Sequence, residues 1–171
     1  TQLELNEPRK IGTGFERQNI VYDVIREYEK DVELIDLAHS IEGSIIIYTS
    51  SLNRADKAAL QLSQLGFHAQ SYHAGMGNAE RLRVQEAFFS GEVQIIAATS
   101  AFGMGIDKPD VRAVIHYDLP ATLEAYYQES GRAGRDGGEA LAILIYKIGD
   151  ARTHEFLLQK NFPSEEQWFA L

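Results

Sequence analysis

The sequence predicts a three-layer α/β fold, with helices flanking a mainly parallel central sheet. Short apolar runs alternate with segments of helical periodicity through most of the 171 residues. Several helical segments end at a glycine, Gly43, Gly66 and Gly91 among them. Strands that alternate with helices of about ten or more residues imply crossover connections and hence parallel pairing.

Taken in order, Ile20 to Val24 reads as a short strand. The stretch that follows repeats Val32, Leu34, Ile35, Leu37, Ala38 and Ile41 at helical spacing, and Gly43 stops it. Ile45 to Tyr48 is a continuous apolar run too short for a buried helix, so it is expected to be a central strand covered on both faces. Asn53 to Leu65 carries Ala55, Ala58, Ala59, Leu62 and Leu65 on one stripe, closed by Gly66. Then come Ala69 to Tyr72 extended, Asn78 to Phe89 helical, Val93 to Thr99 extended and Ala113 to His116 extended. A helix from Pro120 to about Ser130 and a last strand from Glu139 to Tyr146 complete the unit. In parallel sheets, function collects at the loops beyond the carboxyl ends of the strands. The loops after Tyr48, Tyr72 and Thr99, and the segment around Arg132, are therefore the places to look.

Composition narrows the class. A chain of 171 residues with 44% hydrophobic content fits one domain that can fill its own core. The sequence has no apolar run of about 18 residues, and its first thirty residues are acidic and polar, so neither a membrane span nor a signal peptide is expected. Zero cysteines exclude disulfides and thiolate metal sites within these residues, and no metal site is expected. A cytoplasmic protein is the expectation, associated with the nucleoid if bacterial. The net charge of −9 speaks against gripping nucleic acid by bulk electrostatics. Most of that charge lies at the ends: residues 43–148 hold eleven acidic and nine basic side chains, so a local cationic face remains available there.

Three segments carry chemistry. In Gln128-Glu-Ser-Gly-Arg-Ala-Gly-Arg-Asp-Gly137, Arg132 and Arg135 stand three apart among glycines. That step puts both on one side of a helical turn. Guanidinium is permanently charged and forks onto phosphate oxygens, which suits charge spread over a transferring phosphoryl group. The plainer reading is a glycine-rich surface turn with two solvated arginines. The second segment, Ala98 to Pro109, leaves a strand at Thr99, and its Gly103-x-Gly105 lacks the third glycine of a dinucleotide fingerprint. Within it, Asp107 can accept from a ribose hydroxyl and Lys108 can meet a phosphate. The third, Tyr72-His-Ala-Gly75 with Arg81 beyond, suits a loop that holds a strand by its phosphates, although a lone histidine such as His73 is usually structural.

Together these segments resemble the second RecA-like domain of RecQ-family DNA helicases, across residues 15–148. Gln-x-x-Gly-Arg-x-Gly-Arg is similar to the sixth motif of superfamily 2 helicases, and Tyr72-His-Ala-Gly75 with Arg81 to another of their signatures. Phe102-Gly-Met-Gly-Ile106 with Lys108-Pro109, and Tyr126-Tyr-Gln-Glu129, look like the RecQ branch, since DEAD-box RNA helicases usually have His-Arg in place of Gln128-Glu129. Phe15-Glu-Arg-Gln-Asn19 looks like the family's opening Phe-x-Arg-x-Asn.

The resemblance implies that Arg135 is the arginine finger, that Arg132 is a second contact to the triphosphate or its coupling network, and that Gln128 belongs to the same catalytic motif. Asp107 and Gly105 would adjoin the nucleotide. Ser50, Ser51, Arg54, His73, Arg81, Thr99, Ser100 and Lys108 would form the DNA track. One departure concerns the first nucleic-acid loop, where Ser-Arg or Thr-Arg is usual. Here Leu52 follows Ser51 and Arg54 comes two residues later, so either Arg54 replaces that contact or the loop binds more weakly. Asp107 often appears as Asn in the family.

The sequence contains no Gly-x-x-x-x-Gly-Lys-[Ser/Thr] and no Asp-Glu-x-His. ATP and Mg²⁺ would therefore be held mainly by a preceding RecA-like domain, with residues 1–14 as the linker from it, and this chain alone is not expected to hydrolyse ATP. Residues 149–171 read as a helix leading toward a further module. Single-stranded and duplex DNA are the expected partners, together with the N-terminal domain. An RNA helicase lobe and a non-catalytic interaction module derived from such a lobe remain the alternatives.

Overall fold

The computed structural model describes residues 17–103 and 106–150. Their ten elements are β1 (Ile20–Arg26), α1 (Lys30–Ser40), β2 (Ser44–Tyr48), α2 (Leu52–Gln64), β3 (Ala69–Tyr72), α3 (Asn78–Ser90), β4 (Ile95–Ala98), β5 (Val111–His116), α4 (Leu123–Ser130) and β6 (Ala140–Tyr146). The six strands form one sheet in the order β1-β6-β5-β2-β4-β3, and every pairing is parallel. The expected α/β layering is present, with a wholly parallel sheet among the described residues.

All five residues of β2 are buried, as a strand with neighbours on both edges and helices over both faces requires. Its alternate side chains feed two cores. Ile45 and Ile47 pack with Leu34 and Ala38 of α1 and with Ala58, Ala59 and Leu62 of α2. Ile46 and Tyr48 face the other way, toward Val84, Ala87 and Phe88 of α3, with Phe102 and Ala133 beside them. On this second face Tyr126 of α4 sets its ring 4.8 Å from His116 and 6.2 Å from Tyr22.

Helix ends follow local chemistry. Ser51 and Thr122 cap α2 and α4, accepting from Arg54 N at 3.4 Å and Ala125 N at 3.1 Å. Helix α3 stops at Gly91, whose φ of 83° is a left-handed conformation that suits glycine. Several boundaries differ from the sequence expectation by one to three residues, and two of them have a clear local cause. Strand β1 runs on to Arg26 because β6 offers a partner as far as Tyr146. Strand β4 begins at Ile95 rather than Val93, since the Val93 N–H donates to Ala87 O and the Gln94 and Ile95 N–H groups both donate to His68 O.

The last described residue, Asp150, is joined to the body. Its carboxylate lies 2.5 Å from the buried ammonium of Lys30, which also donates to Tyr117 O at 2.7 Å. The readings of residues 1–14 as a linker and of 151–171 as the rest of a terminal helix lie outside the described residues, as does Phe15. No helix among the described residues is long and apolar enough to cross a membrane.

Candidate functional site

Parallel register decides which loops meet. Tyr48 pairs with Ala98 and with His116, and Ala98 pairs with Tyr72, so β2, β3, β4 and β5 end level with one another. Ser50, Ser51 and Arg54 follow β2, His73 follows β3, and Thr99 and Ser100 follow β4. Arg81 stands in the first turns of α3, which starts from the loop after β3. Of the eight residues predicted for the DNA track, these seven are gathered along one edge.

Several of them are held by acids that sequence reasoning passed over. Asp118, just beyond β5, accepts from Ser50 N at 2.8 Å and from Ser50 Oγ at 2.9 Å, and also pairs with the Arg54 guanidinium. It is 8% exposed. Arg54 therefore leans back onto this carboxylate, fastening the loop after β2 to the loop after β5. Asp56, on α2, accepts from Ser71 Oγ at 2.6 Å and meets His73 Nε2 at 3.0 Å. The Ser71 hydrogen bond and the His73 contact together hold the Asp56 carboxyl below the usual aspartate range. Arg81 donates to Asn78 Oδ1 at 2.5 Å within its own helix.

Replacing Asp118 with alanine leaves three donors without their acceptor. It is expected to lower stability by about 1–3 kcal/mol in urea unfolding.

Lys108 requires a correction. It is 5% exposed, its ammonium lies 3.0 Å from Asp110 and 5.5 Å from the Phe88 ring centroid, and it points inward rather than to an open phosphate track. Asp110, two residues on across the corner at Pro109, holds the amine on one side, and α3 brings the Phe88 ring to it on the other. Gly105 lies outside the described residues.

The arginine segment also lies elsewhere than the carboxyl edge. After α4 the chain turns through Gly131 to Gly138 and fastens to the start of β5, where Gly134 N donates to Val111 O at 2.8 Å and Asp136 N to Pro109 O at 3.1 Å. Gly134 has a φ of +55°, and a Cβ built there would lie 2.5 Å from Asn19 Nδ2 and 2.6 Å from Gly138 O. Only glycine fits that corner. Arg112 braces the far side, donating to Asp136 Oδ2 at 2.5 Å and to Glu139 O at 3.1 Å.

From this turn the two arginines reach the same neighbouring loop. Arg132 Nη1 donates to Gly103 O at 2.6 Å, and Arg135 Nη1 donates to Ile106 O at 2.7 Å and to Asp107 Oδ1 at 2.7 Å. The spacing of three between the arginines matches the spacing of three between Gly103 and Ile106. Among the described residues, Arg135 uses one of its three nitrogens, and the rest of its fork meets none of them. Asp107 is largely exposed. Gln128 is exposed on α4, one residue before Glu129, whose Oε2 meets the fully buried His116 Nε2 at 3.0 Å.

The loop from Thr99 to Asp107 thus begins on the edge that gathers the track residues and ends beneath the arginine pair. Phe102 anchors its middle, fully buried against Tyr72 and Phe88, and its carbonyl accepts from Tyr48 Oη at 2.7 Å. Burial pushes the Tyr48 hydroxyl pKa up, so that group remains a donor. Among the described residues, no group of three His, Cys, Asp or Glu side chains stands together in a way that could hold a metal ion.

A parallel α/β domain with this arginine turn and this crossing loop defines a class, and the chain belongs to the helicase conserved C-terminal domain family, whose profile matches residues 29–137. The fold agrees with solved structures: the C-terminal domain of the DEAD-box protein Dbp5 superposes with a TM-score of 0.67 at 26% identity, over 84% of each chain. A DEAD box protein from Methanococcus jannaschii gives 0.69 at 27% identity, over 83% of this chain and 40% of that one.

Among proteins of that class, the chain is similar to DNA helicases of the RecQ kind. It is 42% identical over 171 residues to the ATP-dependent DNA helicase RecQ of Pasteurella multocida, covering 99% of this chain and 27% of that protein. It is 43% identical over 162 residues to the ATP-dependent helicase SGS1 of Saccharomyces cerevisiae, covering 93% of this chain and 11% of that protein. The chain therefore spans about a quarter or less of the length of these relatives.

Proposed function

We propose that this domain is the second motor lobe of an ATP-dependent 3′ to 5′ DNA helicase of RecQ type. It would supply the arginine finger and part of the single-strand track, and would not hydrolyse ATP by itself. The observation that carries this reading is the Thr99–Asp107 loop, which joins the polar strand edge to the arginine pair in one short piece of chain. The 42–43% identity to DNA helicases, against 26–27% to the DEAD-box neighbours, favours DNA over RNA.

The residues present suit the polyphosphate and sugar of a nucleotide: two guanidinium groups on a pinned turn, with an exposed carboxylate beside them. ATP, held with Mg²⁺ mainly by the preceding domain, supplies the phosphoryl group. In the resting arrangement Arg135 leans on Asp107. As the cleft closes, Arg135 turns its fork to the γ-phosphate and stabilises charge that grows in the transition state. Asp107, released, accepts from a ribose hydroxyl. Arg132 stays on Gly103 O and keeps the loop in step with the turn. At the other end of that loop, Ser100, with the Ser51 hydroxyl beside it, holds strand phosphates and so fixes register without reading sequence.

The test is unwinding by the full-length protein of matched duplexes carrying a 3′ or a 5′ tail, in DNA and in RNA. ATP-dependent opening of the 3′-tailed DNA alone is expected. Preference for RNA, or ATP-independent binding with no unwinding, would overturn the reading.

A further inference from the structure

Two residues that opened the domain in sequence have a specific task in space. Arg17 lies just before β1, yet its guanidinium reaches carbonyls more than a hundred residues away. Nη1 donates to Gly131 O at 3.5 Å, and Nη2 to Ala133 O at 3.2 Å and to Gly134 O at 2.8 Å. Asn19 Nδ2 donates to Gly134 O at 2.7 Å and to Gly138 O at 2.8 Å. Arg17 Nε also points to Asn19 Oδ1 at 3.4 Å, and Asn19 O accepts from Ala140 N at 3.0 Å.

We propose that Arg17 and Asn19 are positioning residues for the arginine pair, setting the height and orientation of the Gly131–Gly138 turn from which Arg132 and Arg135 face the nucleotide. This rests on the reading of Arg135 given above. Carbonyls at the end of a helix lack intrahelical partners and carry the negative end of its dipole, so a guanidinium is the natural cap. Arg17 takes the carbonyls on both sides of Arg132. Asn19 bridges Gly134 and Gly138, the two ends of the loop that carries Arg135. Among the described residues, Arg132 and Arg135 themselves grip the neighbouring loop through a single nitrogen each, and their placement follows the backbone that Arg17 and Asn19 hold. The absent side chain at Gly134 is what admits the Asn19 amide.

The chemistry is specific to these residue types. A lysine at position 17 has one nitrogen and cannot fork over three carbonyls. An aspartate at 19 would turn an oxygen toward two carbonyl oxygens.

The experiment uses the full-length protein with Arg17→Ala, Arg17→Lys and Asn19→Asp, and with Arg135→Ala alongside. For the first three, kcat of DNA-stimulated ATP hydrolysis should fall by about 10²-fold, while KM for ATP and single-strand affinity stay within a few-fold of wild type. Millimolar guanidinium should restore part of the rate to Arg17→Ala and none to Arg135→Ala. Near-normal kcat in these variants while Arg135→Ala is inactive would overturn the positioning role alone. A parallel loss of ATP binding, DNA binding and thermal stability would also overturn it, by showing a merely structural part. Undiminished turnover in Arg135→Ala would overturn the finger assignment and this inference with it.

Discussion

Arg135→Ala in the full-length protein is expected to slow DNA-stimulated ATP hydrolysis by about 10³- to 10⁵-fold while leaving ATP affinity within a few-fold. The size of the effect comes from what the guanidinium meets. At rest Arg135 spends one nitrogen on Ile106 O and Asp107 Oδ1, each at 2.7 Å. An exposed pair of this kind contributes only about 0–1 kcal/mol, so leaving it costs little. The developing charge on a transferring phosphoryl group in a closed, water-poor cleft rewards the same group far more. Loss of the side chain therefore falls on the transition state and not on the ground state, and appears in kcat. Arg135→Lys should recover little, since an ammonium offers no planar fork.

Phe102→Ala is expected to destabilise the protein by about 3–5 kcal/mol, the range for large-to-small changes at a well-packed aromatic. Phe102 is fully buried, with its ring 4.7 Å from Tyr72 and 5.8 Å from Phe88 in edge-on contacts, and its removal opens a cavity among strand, helix and loop. The partly exposed Phe89, next to Phe88 on α3, is the control and should lose much less as alanine. Urea unfolding followed by tyrosine fluorescence would show the difference. The cost extends beyond stability. The Phe102 carbonyl accepts from Tyr48 Oη, and Gly103 next to it accepts from Arg132, so the same substitution should loosen the coupling between strand edge and arginine turn.

Most of the fold was legible because the decisive signals were local. Ile45 to Tyr48 was uniformly apolar and proved to be buried on both faces, and the alanine stripe of α2 met the sheet as its spacing required. What escaped were pairings that join distant stretches. Asp118 lies 64 residues from Arg54, and its place beyond β5 becomes meaningful only once β5 is known to lie beside β2. Arg17 and Asn19 were seen as an opening signature without a task, because their partners are 114 to 119 residues away. Lys108, expected on the track, is 5% exposed, with its amine between Asp110 and the Phe88 ring, a placement that depends on α3 packing nearby. The arginine segment was recognised from its spacing, whereas its attachment near the start of β5 depended on the path of the loop after β4. The rule that function gathers at carboxyl ends pointed to the strand edge and to the segment around Arg132 alike, whereas that turn fastens near the start of β5.

The role proposed for Arg135 is to act on the transition state of a nucleotide held by another domain. It is tested most directly by comparing full-length wild type and Arg135→Ala for affinity to ADP with aluminium fluoride, a mimic of the transferring phosphoryl group, and to a non-hydrolysable ATP analogue. The variant is expected to lose aluminium fluoride complex affinity in step with its kcat while binding the ATP analogue as well as wild type does. Equal affinity of the two proteins for the aluminium fluoride complex would contradict it.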